Sequence, residues 1–456
     1  MKTSKLNFKH YLMLSSLIFG MFFGAGNLIF PVHLGQLAGV HWFSAALGFL
    51  FSGILLPLGA LLALAITRAE GIFDLARPLG KGLALTFLIL VHATLGPFFA
   101  TPRTATVPFS MFASHFAPSM QGLALLIYSG IFFGIVYFMS LKEGKITERI
   151  GKLLNPIFLI LLFVIFLFAF IKPMGSADTT KASEAYLTAS FTNGFLEGYN
   201  TMDALAALAF GITVVTAITS WGIKSAKETS ISMAKAGVVG MAGIAIIYLI
   251  SIFLGATSLH HFALSENGGT AFAQIANFYM GPIGEALLAT LSTITCMSTA
   301  MGLVIAFAQD FHKRFPQISY KIFLTVNCGI SFVFANLGLN QIIAWSTPVL
   351  MFLYPIAIAL IFLGITSPLF QNDATTYRLT VFFAFIPAIF DMLNASPAVI
   401  SQTTLAKTLT AFAGQYFPFF NLGFGWFTFG ICGYFLGLVA HFIKAKTSNQ
   451  NFEMEE

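Results

Sequence analysis

The sequence predicts an all-α integral membrane protein of about twelve spanning helices. They are arranged as a five-plus-five inverted repeat whose leading helices are broken, with two helices appended. Three observations predict this. Apolar residues make up 57% of the 456 and charged residues only 9%, against about 25% charge in an ordinary soluble domain. Uncharged runs such as 153–171 and 322–372 are long enough to cross a bilayer, which takes about 20 apolar residues. Two of the apolar stretches are interrupted by glycine and polar residues, at positions 24–27 and 194–203.

Taken in order, the expected spans are 11–38, 42–67, 82–116, 122–141, 153–171, 187–222, 236–258, 283–309, 322–337, 342–366, 379–393 and 422–443. Lys2, Lys5 and Lys9 before the first apolar run could suggest a signal peptide. No A-x-A site follows and the run continues through Phe30, so it is read as the first span. An even count puts both termini on one side, and the basic residues say which. With cytoplasmic termini, the inner segments hold 19 of the 23 Lys and Arg residues. Lys172, Lys181 and Lys407 fall outside and Arg103 lies within span three, as the positive-inside rule requires. The basic excess therefore reflects topology and needs no nucleic-acid partner. The chain is read as one polytopic domain in the lipid bilayer. Cys296, Cys328 and Cys432 lie in separate apolar stretches without C-x-x-C, so neither a disulfide framework nor a zinc site is indicated.

The interruptions carry the function. Unsatisfied N–H and C=O groups cost several kcal/mol each in hydrocarbon, so broken backbone at that depth must line an enclosed cavity. In span one the stretch is Phe22-Phe23-Gly24-Ala25-Gly26-Asn27, where Gly20 and Gly24 could alternatively form a G-x-x-x-G packing surface. In span six it is Gly194 to Asp203, ahead of the clean run 204–217. Span one starts inside and span six outside, so a second five-helix unit enters with opposite orientation. Interrupted segments at matching positions of two halves point to the site of a secondary transporter. The repeats are expected at about 10–171 and 187–366, with spans eleven and twelve at about 379–443.

Thr295, Ser298 and Thr299 share one face of span eight at i, i+3 and i+4. With carbonyls freed at the Gly20–Gly24 break they would suit a hard cation. Ser and Thr in membrane helices also serve packing and their own backbone. Arg103, Glu197, Asp203 and Glu285 lie at or near membrane depth, and Asp391 toward an outer end. Such charges face the interior and pair. Arg103 is expected to pair with Glu197 or Asp203, structurally or as a gate, while Glu285 and Asp391 are expected at the interface. His92 is read as a bonded packing residue, and His260 and His261 as loop residues rather than metal ligands. H-E-x-x-H, G-x-S-x-G, Walker and G-x-G-x-x-G patterns are all missing, so neither an enzyme nor an ATP-driven pump is expected.

Three motifs, Phe23-Gly24-Ala25-Gly26-Asn27-Leu28-Ile29-Phe30-Pro31, Gly96-Pro97-x-x-Ala100-x-Pro102-Arg103-Thr104-Ala105 and Gly198-Tyr199-Asn200-Thr201-Met202-Asp203-Ala204-Leu205-Ala206-Ala207, resemble the bacterial branched-chain amino acid:cation symporters (the LIVCS family). The resemblance covers essentially the whole chain. It implies a plasma-membrane importer of leucine, isoleucine and valine, with Na⁺ as coupling ion and H⁺ in some members. It also implies the fold of the amino acid and neurotransmitter sodium symporters. Carried onto this chain, the amides of Ala25 and Gly26 would receive the substrate carboxylate. Carbonyls of Gly20 and Phe23 with Thr295, Ser298 and Thr299 would hold Na⁺. Phe22 and Tyr199 would flank the side chain, and Gly24, Asn27, Asn200 and Thr201 would complete the substrate site. A proton-coupled symporter and an uncoupled facilitator for neutral amino acids are the alternatives.

Overall fold

Each of the twelve expected stretches is helical among the described residues, as hydrocarbon demands of any segment that cannot pair its backbone with a neighbour. The computed structural model describes residues 7–141, 145–223 and 225–453, with the backbone alone at 25, 145–156, 212, 226, 445 and 447–453. Lys2, Lys5, Lys142 and Lys224 of the expected inner basic set lie outside the described residues.

Eight described helical runs are long and apolar enough to cross a membrane. One of them, Gly26–Thr67, contains the end of span one and all of span two, joined at Gly39 with φ +48°. The remainder of the twelve is made up by the apolar helices Ile157–Ile171 and Tyr320–Ala335 and by the bent pair Asp203–Phe210 and Thr213–Ser220 of span six. Phe138, Phe163, Val333 and Phe435 project more than half exposed from these helices, as lipid-facing side chains should. Several boundaries differ from expectation, span seven beginning at Ala226 rather than 236 and span five at Lys145 rather than 153. Span three ends at Ser110 rather than 116. The helix of span eight begins at Gly268 and kinks at Gly281, before Pro282. An additional helix, Thr404–Tyr416, stands between spans eleven and twelve.

The contacts of span seven (Ala226–Ser258) fix the orientation of its neighbours. Ser15 Oγ donates to the carbonyl of Ala236 at 2.9 Å, and Gly35 lies directly against the backbone of Ile252. Span one therefore runs parallel to span seven. Trp42 packs on Phe253, Phe49 on Tyr248 and Gly237 on Leu58, so span two runs back. Spans two and six are in turn parallel: Gly194 meets Ala45, Ser52 Oγ donates to the carbonyl of Phe195 at 2.5 Å, and Gly211 meets Leu61 and Leu64. Gly194 has to be glycine, because a Cβ would overlap the Ala45 carbonyl. Small residues at such crossings let backbones approach where no hydrophobic driving force operates. Span six thus runs opposite to span one, the relation that an inverted five-helix repeat requires.

Spans one, two, six and seven form one packed group. Span eight packs on the second half of span three (Ala100–Ser110) and on spans five and nine in another. The second half of span one (Ala25–Ala38) also packs on span eight, and span ten (Leu339–Thr366) on span two. The interruptions lie where these groups meet.

Candidate functional site

Span one breaks at Phe23 and Gly24, between Phe8–Phe22 and Ala25–Ala38. Gly24 is extended (φ −133°, ψ −165°), a conformation open to any residue, and a Cβ there would only touch Thr299 Cγ2 at 3.4 Å. The break is set by Asn27. Its Oδ1 accepts the Gly24 N–H at 2.8 Å, the return bond of a capping box. Its Nδ2 donates to Asp203 Oδ2 at 2.8 Å and also to the Tyr248 hydroxyl. Tyr248 in turn donates to Asp203 Oδ2 at 3.1 Å. All three side chains are buried, so one polar cluster joins spans one, six and seven.

Span six runs from Ser190–Gly198 through a tight turn, Tyr199–Thr201, to Met202, which is left-handed (φ +61°), and resumes at Asp203–Phe210. A buried methionine in that region is strained, and such strain collects at functional sites when the surroundings enforce it. Thr201 Oγ1 accepts the Asp203 N–H at 3.3 Å and donates to the Gly198 carbonyl at 2.9 Å. The two breaks touch, with Thr201 Cα 3.5 Å from a Cβ position on Gly26. Tyr199 stacks on Tyr354 of span ten at 4.0 Å, so one of its ring faces is already covered. Phe22 is buried at the end of the first half of span one. The Ala25 backbone opens the second half, while its side chain lies outside the described residues.

Span three carries a third interruption, which the continuous reading of 82–116 missed. Gly96 leaves helical geometry (φ −87°, ψ −113°) beside Pro97, and the helix resumes at Ala100. The Gly-Pro pair was the available signal, since proline supplies no N–H and clashes with the preceding turn. Arg103 follows within one turn. Its Nη1 donates to the Asn200 carbonyl at 2.8 Å, its Nη2 to Ser346 Oγ of span ten, and its Cζ lies 5.2 Å from the Phe30 ring centroid. Among the described residues no carboxylate lies within ion-pairing distance of Arg103. Glu197 is linked to it only through Asn200, whose Nδ2 donates to Glu197 Oε2 at 3.3 Å. Asp203 instead belongs to the Asn27 cluster.

Of the hydroxyls on span eight, that of Thr299 lies at the break. Thr299 is the residue in contact with Gly24, and its Oγ1 donates to the Thr295 carbonyl at 3.2 Å. Thr295 Oγ1 is buried without a partner among the described residues. Ser298 is half-buried, whereas Thr290 and Thr293 bond back to their own helix at 2.8 Å. Phe23, whose carbonyl is among those released at the break, packs its ring on Phe19 and Phe158. Gly20 is exposed with no atom within 4 Å of a side-chain position, so Gly24 and not Gly20 carries the contact with span eight. Hydroxyl and carbonyl oxygens alone are the donor set of a hard cation, and the orphaned Thr295 hydroxyl fits such a role.

The other sequence-selected residues have structural partners. Asp391 is buried rather than interfacial, because its Oδ1 accepts the Gly425 N–H at 3.3 Å where span twelve begins. Glu285 is also buried, between His115 (3.0 Å) and Asn277 (2.5 Å). His92 bonds Asp310 at 3.0 Å. His260 bonds the Ser176 carbonyl while His261 packs on Phe278, and no metal-binding group of His, Cys, Asp and Glu occurs among the described residues.

Residues 7–444 match the family model for branched-chain amino acid transport proteins. The chain belongs to that family. A branched-chain amino acid permease BrnQ of Lactobacillus delbrueckii subsp. lactis is 40% identical over 92% of this chain and 94% of its own length. BrnQ of Bacillus subtilis is 35% identical over 98% and 100%, and BrnQ of Escherichia coli K12 is 36% identical over 86% and 89%. The family is one of transport proteins, not enzymes. Among solved structures, the nucleobase-cation-symport-1 family transporter Mhp1, closed with bromovinylhydantoin bound, superposes with a TM-score of 0.59. The match covers 96% of this chain and 93% of that one at 13% identity. Inward-facing Mhp1 gives 0.54 over 98% and 96%. This family member is thus a multi-pass membrane transporter with the inverted-repeat fold. Its polar centre joins the three interruptions through Asn27, Asp203, Asn200 and Arg103, and it includes Tyr248 and Ser346, which the sequence did not single out.

Proposed function

We propose that the chain imports leucine, isoleucine and valine across the bacterial plasma membrane together with Na⁺, by alternating access and with both termini cytoplasmic. The repeats are taken at about 10–171 and 187–366. The observation that carries this reading is the meeting of two broken helices at Gly26 and Thr201 in a family of branched-chain amino acid transport proteins. A half-helix N-terminus offers unpaired amides and a positive dipole end to a carboxylate. Asn27 already occupies the Gly24 amide, which leaves those of Ala25 and Gly26. Carbonyls freed at the breaks of spans one and six would take the ammonium group. Na⁺ would lie between the Phe23 carbonyl and Thr295, Ser298 and Thr299. One methylene in an apolar pocket discriminates by only about 1–3 kcal/mol, so the three branched substrates should compete while lysine and glutamate should not.

The test is uptake of labelled leucine into proteoliposomes of the pure protein under an inward Na⁺ gradient, with collapsed-gradient and proton-gradient controls. Transient accumulation with Na⁺ alone is the expected result. Accumulation driven only by protons would replace Na⁺ by H⁺ in the reading. Equilibration without accumulation would make the protein a facilitator, and binding without uptake would overturn the transport reading.

A further inference from the structure

Arg103 is buried with only neutral hydrogen-bond partners. It is 3% exposed, its two bonded nitrogens donate to the Asn200 carbonyl and to Ser346 Oγ, and Ser346 spends its own proton on the Ile343 carbonyl at 3.0 Å. A guanidinium has five N–H donors in a planar fork. Its Nε is buried without a partner among the described residues. Asn200, 5% exposed, shows the complementary defect: its Oδ1 has no donor, while its Nδ2 is committed to Glu197. An orphaned donor and an orphaned acceptor therefore stand on two residues already bonded to each other.

Their position ties them to the breaks. Arg103 follows the interruption of span three, and Asn200 lies inside that of span six. The guanidinium stands over Phe30, whose ring edge is 3.4 Å from a Cβ position on Gly26, at the break of span one. A buried charge without a direct ion pair is costly, Glu197 reaching this one only through Asn200, and arginine is the side chain whose fork matches a carboxylate.

We propose that Arg103 is a direct ligand of the transported amino acid's carboxylate, through Nε–H, and that Asn200 Oδ1 beside it accepts from the ammonium group. This rests on the amino acid transport reading and adds a charged ligand to the backbone amides of Ala25 and Gly26. A carboxylate has two oxygens and about four acceptor positions, enough for both donor sets. The clamp recognises the α-amino acid head group and leaves the branched side chain to the apolar walls.

The test compares inhibition of labelled leucine uptake by leucine, by leucinamide (no carboxylate charge) and by 2-hydroxy-4-methylpentanoate (no ammonium), in proteoliposomes of full-length protein. Wild type should prefer leucine over leucinamide strongly. Arg103→Gln should cut that preference about tenfold to hundredfold, the range of a charge-assisted hydrogen bond, while changing the preference over the hydroxy acid little. Asn200→Ala should do the reverse. If Arg103→Gln cannot be recovered as folded protein, Arg103→His carries the test: its preference for leucine over leucinamide should rise as pH falls and the imidazole becomes charged. An unchanged leucine-to-leucinamide ratio in Arg103→Gln, or a pH-independent ratio in Arg103→His, overturns the proposal and leaves Arg103 as a purely structural tie. Loss of uptake in the wild type would instead defeat the transport reading itself.

Discussion

Asn27 holds the break in span one and binds the carboxylate at the break in span six, so exchanging the two residues tests whether that cluster organises the site. In Asn27→Asp a second carboxylate would stand where the amide now donates to Asp203 Oδ2 at 2.8 Å. Two like charges about 3 Å apart repel by about 5 kcal/mol at an effective dielectric constant near 20, and Asp203 also loses a donor. Asp203→Asn alone keeps an oxygen for the Tyr248 hydroxyl, which donates at 3.1 Å, and its cost should be about 1–2 kcal/mol. The double exchange restores an amide facing a carboxylate. Position 27 still offers an oxygen to the Gly24 N–H, and the amide now donates from position 203. The assay is the initial rate of leucine uptake per mole of reconstituted protein, read beside thermal unfolding in detergent. Asn27→Asp should lower uptake or folded yield more than about 100-fold, and the double exchange should return to within about tenfold of Asp203→Asn. A double variant as impaired as Asn27→Asp, or an indifferent Asn27→Asp, would refute the reasoning.

Other perturbations separate the remaining contacts. Ser298→Ala with Thr299→Ala should raise the Na⁺ concentration for half-maximal uptake about tenfold, equivalent to 1.4 kcal/mol. Thr299→Ala alone should show most of it, because Thr299 touches Gly24; unchanged Na⁺ dependence would remove both from the site. Gly194→Ala should cost at least about 1–3 kcal/mol of stability by overpacking against the Ala45 carbonyl, whereas Gly134→Ala, with open space around it, should be neutral in detergent thermal stability. Asp310→Asn weakens the bonds to buried His92 at 3.0 Å and to Arg314 at 3.4 Å and should cost about 1.5–3 kcal/mol. The Lys313–Glu70 pair is 75% and 68% exposed, so solvent screening should hold Glu70→Gln below about 0.5 kcal/mol.

The spans and both leading breaks were legible because each is a local property. Apolar length gives a helix, and glycines with a polar residue inside it mark an interruption, while the capping role of Asn27 emerged only from its bond to the Gly24 N–H. In span six the right stretch was read partly for the wrong residues. Gly194 and Gly198 serve close packing on span two, while the residue that turns left-handed is Met202, a side chain with no local preference for that conformation. Tertiary contacts impose it. The partners of Arg103 were not legible either: Asn200 and Ser346 lie 97 and 243 positions away, and a single serine in an apolar helix carries no signal. The same holds for Tyr248. Asp391 was placed at the interface because its span nears its end there. What buries it is the start of span twelve folding back onto its carboxylate.

The membrane explains why these contacts cluster. Each interruption releases backbone groups that lipid cannot satisfy, and three of them are met close to another break. The Gly24 N–H is taken by Asn27, whose other end holds span six. The Asn200 carbonyl is taken by Arg103, just beyond the break in span three. The Asp203 N–H is taken by Thr201, which touches span one at Gly26. The breaks are one another's solvent. A movement of one half-helix must therefore strand polar groups on the others unless they move too, or unless a zwitterion and a cation supply the missing partners. If the proposed substrate and ion bind there, that requirement would couple their binding to helix movement, and variants in one break should alter the affinity for ligands held by another.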